Sequence, residues 1–117
     1  MGEDLAVAEI ERRGYAVLER RYRTRFGEID IVSDDRGVVV FVEVKARKSN
    51  RHGLAAEAVS FRKQRRIGAM ALDYLAWTGS LNRRCRFDVV AIEGAGTDQQ
   101  RVRVIPDAFQ PGDWGGW

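Results

Sequence analysis

The run Val38-Val39-Val40-Phe41-Val42-Glu43-Val44-Lys45-Ala46-Arg47 constrains the fold more than any other part of the chain. So apolar a segment reads as a central strand, buried on at least one face, and the sequence places a strand over residues 38 to 46. Side chains alternate across a strand, so Phe41, Glu43 and Lys45 share one face while Val40, Val42 and Val44 fill the other. A charged pair is therefore set among neighbours that ask for a dry core.

The segments around this strand alternate in type and have short connections. Residues 3 to 13 mix good helix formers with a polar face, and Gly14 supplies the stop. Residues 15 to 22 read as a strand. Gly27 leads into a second strand, Glu28-Ile29-Asp30-Ile31-Val32, whose period of two puts Glu28, Asp30 and Val32 on one face and Ile29 and Ile31 on the other. Asp34 to Gly37 is a turn, so the strands around it form an antiparallel hairpin. A polar loop follows over residues 47 to 55, where His52 reads as a solvated side chain. Ser60 is the N-cap of a long helix through Ala76, with Ile67, Met70, Ala71, Tyr74 and Leu75 at helical spacing, and Gly79 ends it. Residues 84 to 92 and 101 to 105 are two further strands, separated by the turn Glu93 to Gly96. The order α-β-β-β-α-β-β predicts an α/β fold, a mixed sheet flanked by helices. A chain of 117 residues suits one domain, placed at 1–109, with a Gly- and Trp-containing tail over 110–117 in which Trp114 and Trp117 are available to dock elsewhere.

The chain begins Met1-Gly2-Glu3-Asp4, without the bases of a signal peptide, and no apolar stretch approaches the ~20 residues that cross a bilayer. A cytoplasmic location is expected. Cys85 is the single cysteine, which excludes an internal disulfide and a cysteine-type zinc cluster. The formal net charge is +3, with bases crowded into two stretches, Arg12 to Arg25 and Lys45 to Arg66, each holding one acid, Glu19 and Glu57. Such stripes suit a polyanion.

If the hairpin strands pair, Asp30 can lie beside Glu43 on the same side of the sheet, in a register the sequence does not fix. Two adjacent carboxylates repel unless something neutralises them, and hard oxygen ligands of this kind suit Mg2+, or Mn2+ in its place. Lys45 on the same face would orient an attacking water, lower its pKa, or stabilise charge developing on a phosphorus centre. The plainer reading is a Glu–Lys pair guarding an exposed sheet edge. The apolar setting tells against it, and so does the choice of lysine, one of three against seventeen arginines, because lysine changes protonation readily and arginine does not.

Together Glu3, Gly27-Glu28-Ile29-Asp30 and Phe41-Val42-Glu43-Val44-Lys45 resemble the PD-(D/E)XK, restriction-endonuclease-like nuclease superfamily. More closely, the sequence from Gly2-Glu3-Asp4-Leu5-Ala6 through Arg86-Phe87-Asp88-Val89-Val90 is similar to the YraN family of bacterial proteins, and beyond it to the archaeal-type Holliday-junction resolvases. That resemblance implies a restriction-endonuclease-like core. It makes Asp30 and Glu43 the metal-binding acids, with the Val44 carbonyl as a further ligand, Lys45 the catalytic lysine, and Glu3 a supporting acid. The Pro-Asp of the superfamily name is Ile29-Asp30 here. Glu9 does not share a helix face with Glu3 and is set aside. Lys63 and Gln64 fall where related nucleases often bring a polar residue toward the site. For Lys63 an exposed first turn is the stronger reading, and Gln64 stands with Glu28 as a secondary site residue. Asp88 reads as a structural partner of a nearby arginine.

The function expected is Mg2+-dependent hydrolysis of DNA phosphodiester bonds, selective for branched or junction structure, since so small a chain has no separate specificity domain. Arg25, Arg47, Lys48, Arg51 and Lys63 would contact phosphates. RNA stays open as a substrate, and a homodimer would suit symmetric cutting of a junction. The alternatives are a nucleic-acid-binding module whose nuclease-like site is not used, and a protein-interaction domain in which the carboxylates do not meet.

Overall fold

The protein is described by a computed structural model covering residues 2–48 and 59–111. Its elements follow the predicted order: α1 (Gly2–Arg12), β1 (Ala16–Thr24), β2 (Gly27–Asp35), β3 (Val38–Arg47), α2 (Phe61–Trp77), β4 (Cys85–Glu93) and β5 (Arg101–Ile105). β1 runs on to Thr24, and β3 takes in Arg47, where the loop was expected to begin. Arg51, His52, Trp114 and Trp117 lie outside the described residues. Among the described residues no helix is long and apolar enough to cross a membrane.

The five strands lie in the order β1-β2-β3-β4-β5. β3 and β4 are parallel, and the other neighbours are antiparallel. A parallel step needs a crossover, which α2 provides. The turn from β2 to β3 has two residues, Arg36 and Gly37, at φ of 52° and 95°. Positive φ at both positions is what a tight hairpin with right-handed strand twist requires. Arg83 braces it by bonding the Asp34 carboxylate and the Gly37 carbonyl.

Each face of the sheet has its own core. Ala6 and Ile10 of α1 and Tyr15 pack with Ile31, Val40, Val42, Val90 and Val104. On the other face Ile67, Met70, Ala71, Tyr74 and Leu75 of α2 pack with Ile29, Val32, Val39, Phe41, Phe87 and Val89. Each fully buried aliphatic or aromatic side chain contributes about 1.5–3 kcal/mol, so the valine-rich β3, packed on both faces, anchors the molecule. Ser60 caps α2 by accepting from the Lys63 N–H at 3.2 Å. At the other end Gly79 takes φ of 68°, and Ser80 N–H closes on the Leu75 carbonyl.

The period-two pattern of β2 breaks in the middle. Ile29 and Val32 face α2, whereas Ile31 faces α1. On β1, Tyr22 pairs with Ile29 and Arg20 with Ile31, and between Tyr22 and Arg20 stands Arg21 in the left-handed region at φ 54°. The β1–β2 register itself shifts further along, between Val17 and Glu19. The predicted grouping of Ile29 with Ile31 is corrected: Ile29 shares the α2 side with Val32, and Ile31 faces α1.

Candidate active site

The same irregularity shapes the neighbourhood of the charged pair. β2 and β3 pair from Asp35↔Val38 to Ile31↔Val42, and the register ends there. One step on, the Val44 N–H donates to Asp30 Oδ2 at 2.8 Å. A side-chain carboxylate thus takes a backbone donor that a continued ladder would have satisfied, which keeps the group paired while the two strands part.

Glu43 lies beside this opening and is only 2% exposed. Lys63 Nζ, from the first turn of α2, stands 3.2 Å from Glu43 Oε1. Glu43 Oε2 is buried with no hydrogen-bond partner. Lys45 and Lys63 bring their amino groups within hydrogen-bonding reach of each other. Asp30, Glu43, Lys45 and Lys63 therefore form one electrostatic cluster, drawn from β2, β3 and α2.

Their ionisation follows from that crowding. Burial and the Asp30 charge push the Glu43 carboxyl up to about 7, with Lys63 opposing. Burial also raises Asp30, against the Val44 N–H and Lys63. Burial and the adjacent Lys63 ammonium lower Lys45. Burial acts downward on Lys63 too, but Lys45, Glu43 and Asp30 outweigh it and raise that group.

Other predicted residues divide between this cluster and elsewhere. The Glu3 charge is felt at Asp30, but its oxygens are engaged by Arg20 at 3.0 Å and Arg21 at 3.4 Å. Glu28 pairs with Arg23 at 3.0 Å across the β1–β2 ladder. Gln64 donates to the Val59 carbonyl at 2.9 Å, so it braces the entry to α2. The two helix residues exchange the roles expected of them, with Lys63 entering the cluster in place of Gln64. Asp88 is fully buried and accepts from Tyr15, Arg86 and the Asp107 N–H, a structural network as predicted. Among the described residues no three His, Cys, Asp or Glu side chains are grouped to hold a metal ion. A metal here would rest on two carboxylates and water.

The basic stretches also separate. In the first, Arg12 and Arg13 pair with Glu9, Arg20 and Arg21 with acids of α1, and Arg23 with Glu28. Arg25 remains, its guanidinium 5.0 Å from the centre of the Phe26 ring. In the second, Arg47, Lys48, Arg62, Arg65 and Arg66 form no ion pair among the described residues; Arg47 ends β3, Lys48 follows it, and the other three lie on α2, so they sit on or beside the elements that carry Lys45 and Lys63. A hollow of about 600 Å³ lined by Lys48, Glu93, Asp98, Gln99 and Arg101 opens at the β4–β5 turn, and it does not include the carboxylate cluster.

The model of the family described as "Uncharacterised protein family UPF0102" matches residues 2–92, a span that contains every member of the cluster. The UPF0102 protein of Symbiobacterium thermophilum is 45% identical over 108 residues, 92% of each chain. That of Geobacter metallireducens is 47% identical over 109 residues, 93% of this chain and 88% of the relative. A third, from Syntrophus aciditrophicus, is 45% identical over 114 residues, 94% and 86%. With most of the chain inside the family model and relatives this similar along nearly their whole length, the protein belongs to the UPF0102, or YraN, family.

Proposed function

We propose that this protein is a Mg2+-dependent nuclease, built on a restriction-endonuclease-like core, that hydrolyses phosphodiester bonds in branched or otherwise structured DNA. The observation that carries the reading is the meeting of Asp30, Glu43 and Lys45 where β2 and β3 part, with a buried Glu43 oxygen left without a partner. An unpaired buried carboxylate oxygen is costly, and a divalent cation would satisfy it. Asp30 and Glu43, with the Val44 carbonyl, would hold the ion. Mg2+ or Mn2+ accepts such a site because it binds through one or two carboxylates and keeps its remaining waters, and when bound it supplies Lewis acidity toward a phosphoryl oxygen.

The chain's own groups supply the rest. Lys45, shifted toward its neutral form, is placed to accept a proton from an attacking water at its Nζ, or to return one. Arg25, Arg47, Lys48 and the exposed arginines of α2 would hold phosphates on either side. Such contacts position a substrate without reading its bases, which supports selection by shape.

Single-turnover cleavage of single-stranded, duplex, flap and four-way DNA in Mg2+ or Mn2+ tests the reading. Cleavage of the branched substrates is expected, with its loss in Glu43→Gln. Lys63 standing on Glu43 favours a second reading, a nucleic-acid-binding module whose site is closed by its own lysine. Tight binding of every substrate with cleavage of none would establish that reading instead.

A further inference from the structure

We infer that Lys63 is a transferable counter-charge: it neutralises Glu43 while the carboxylates hold no cation, and is released to grip a substrate phosphate when a cation enters. The inference rests on the cation site proposed above and adds a residue and a state to it.

Five features point this way. The Lys63 ammonium is 3.2 Å from Glu43 Oε1, the carboxylate the proposed cation would use. Formally, Asp30 and Glu43 are balanced by Lys45 and Lys63, so a divalent ion leaves the cluster with excess positive charge. One of the two ammonium groups must then move off or find an anion. Lys63 stands on the first turn of α2 with a side chain still 38% exposed, which leaves its head a path outward. Its backbone is meanwhile pinned by the Ser60 cap and the Gln64 bond to Val59, so the head can swing without disturbing the helix. Outside, on the same helix, Arg62, Arg65 and Arg66 are exposed and form no ion pair among the described residues, so a phosphate chain held there would pass the released ammonium.

A lysine that only stabilised Glu43 would behave differently. Its removal would disturb the carboxylate and weaken cation binding, whereas removing a competing charge strengthens it. The test is titration of Mg2+ and of Mn2+ into the parent, Lys63→Met and Lys63→Arg by calorimetry. Binding of a four-way DNA is then measured in Ca2+ and in EDTA, and circular dichroism checks the fold of each variant. Lys63→Met should bind the cation roughly tenfold more tightly, the order expected for losing one like charge at a half-buried site. Its affinity for DNA should fall several-fold in Ca2+ and stay unchanged in EDTA, where Lys63 is occupied by Glu43. Lys63→Arg should sit near the parent in both measurements.

Cation affinity that is equal or weaker in Lys63→Met, with the parent binding normally, overturns the counter-charge role and leaves the nuclease reading intact. Equal loss of DNA affinity with and without Ca2+ overturns the transfer. A parent that binds no divalent cation overturns the proposed function and this inference with it.

Discussion

Replacing Glu43 by glutamine should make the protein more stable at pH 8 while leaving it unchanged near pH 4. The carboxyl is 2% exposed and its pKa is raised by burial and by Asp30 from 4.5 to about 7. Below pH 4.5 the group is protonated in both the native and the unfolded chain and contributes nothing. Between 4.5 and 7 the native state keeps a proton that the unfolded state has released, so stability falls as pH rises. Above 7 the cost is complete, about 3 kcal/mol for a gap of this size. Glutamine stands in for the protonated acid and removes the slope, although Lys63 loses its partner and takes back part of the gain. For a chain of this length the difference is roughly 10 °C in melting temperature. Urea unfolding of parent and variant at pH 4.5, 6 and 8 measures it, and subtracting one from the other cancels groups that titrate in both. Mg2+ at pH 8 should recover much of the loss in the parent and none in the variant. A parent–variant difference that is the same at pH 4.5 and pH 8 would refute the reasoning.

Three further outcomes are expected. Lys45→Ala should bind cation and DNA nearly as the parent does but cleave far more slowly, and partial rescue by Lys45→Arg would assign the side chain an electrostatic role; cleavage at the parental rate in Lys45→Ala would remove it from the chemistry. Replacing Arg25, Arg47, Lys48 and Arg51 together by alanine should weaken DNA binding across sequences and flatten its salt dependence by about one slope unit per lost phosphate contact, whereas an unchanged slope would take these residues off the interface. Asp88→Ala removes a buried acceptor that holds Arg86 at 3.0 Å and the Tyr15 hydroxyl at 2.7 Å, leaving Arg86 only Asp35 as a carboxylate partner, and should cost about 2 kcal/mol in urea unfolding; a cost under about 0.5 kcal/mol would mean the network relaxes around water.

Much of this architecture is legible in the sequence because its signals are local. β3 announces itself by composition, Ser60 by its place before an apolar helical stripe, and Gly79 by its place after it. The neighbourhood of Asp30 and Glu43 follows from one hairpin turn. The break between Ile29 and Ile31 is not legible, because Glu28-Ile29-Asp30-Ile31 alternates regularly in sequence while the two isoleucines pack on opposite sides of the sheet. Lys63 was within reach: residues 63, 67, 70 and 74 lie on one helix face, and continuing the buried stripe of Ile67, Met70 and Tyr74 back one turn arrives at Lys63. The pairing of Arg20 and Arg21 with α1 joins residues more than fifteen positions apart, so a run of bases that looks free in sequence is neutralised in space.

The bond from Val44 to Asp30 divides one carboxylate between two duties. Oδ2 belongs to the scaffold, and Oδ1 is the atom that can turn toward a ligand. The orientation of Asp30 is therefore set during folding, before any ion arrives, and an ion meeting it finds a side chain whose rotational freedom is already lost. Preorganisation of this kind favours a small, strongly hydrated ion, which gains little from each ligand and tolerates poorly the cost of ordering them. It also separates geometry from charge: an asparagine at position 30 could still receive the Val44 N–H, preserving the parting of the strands while withholding the negative charge.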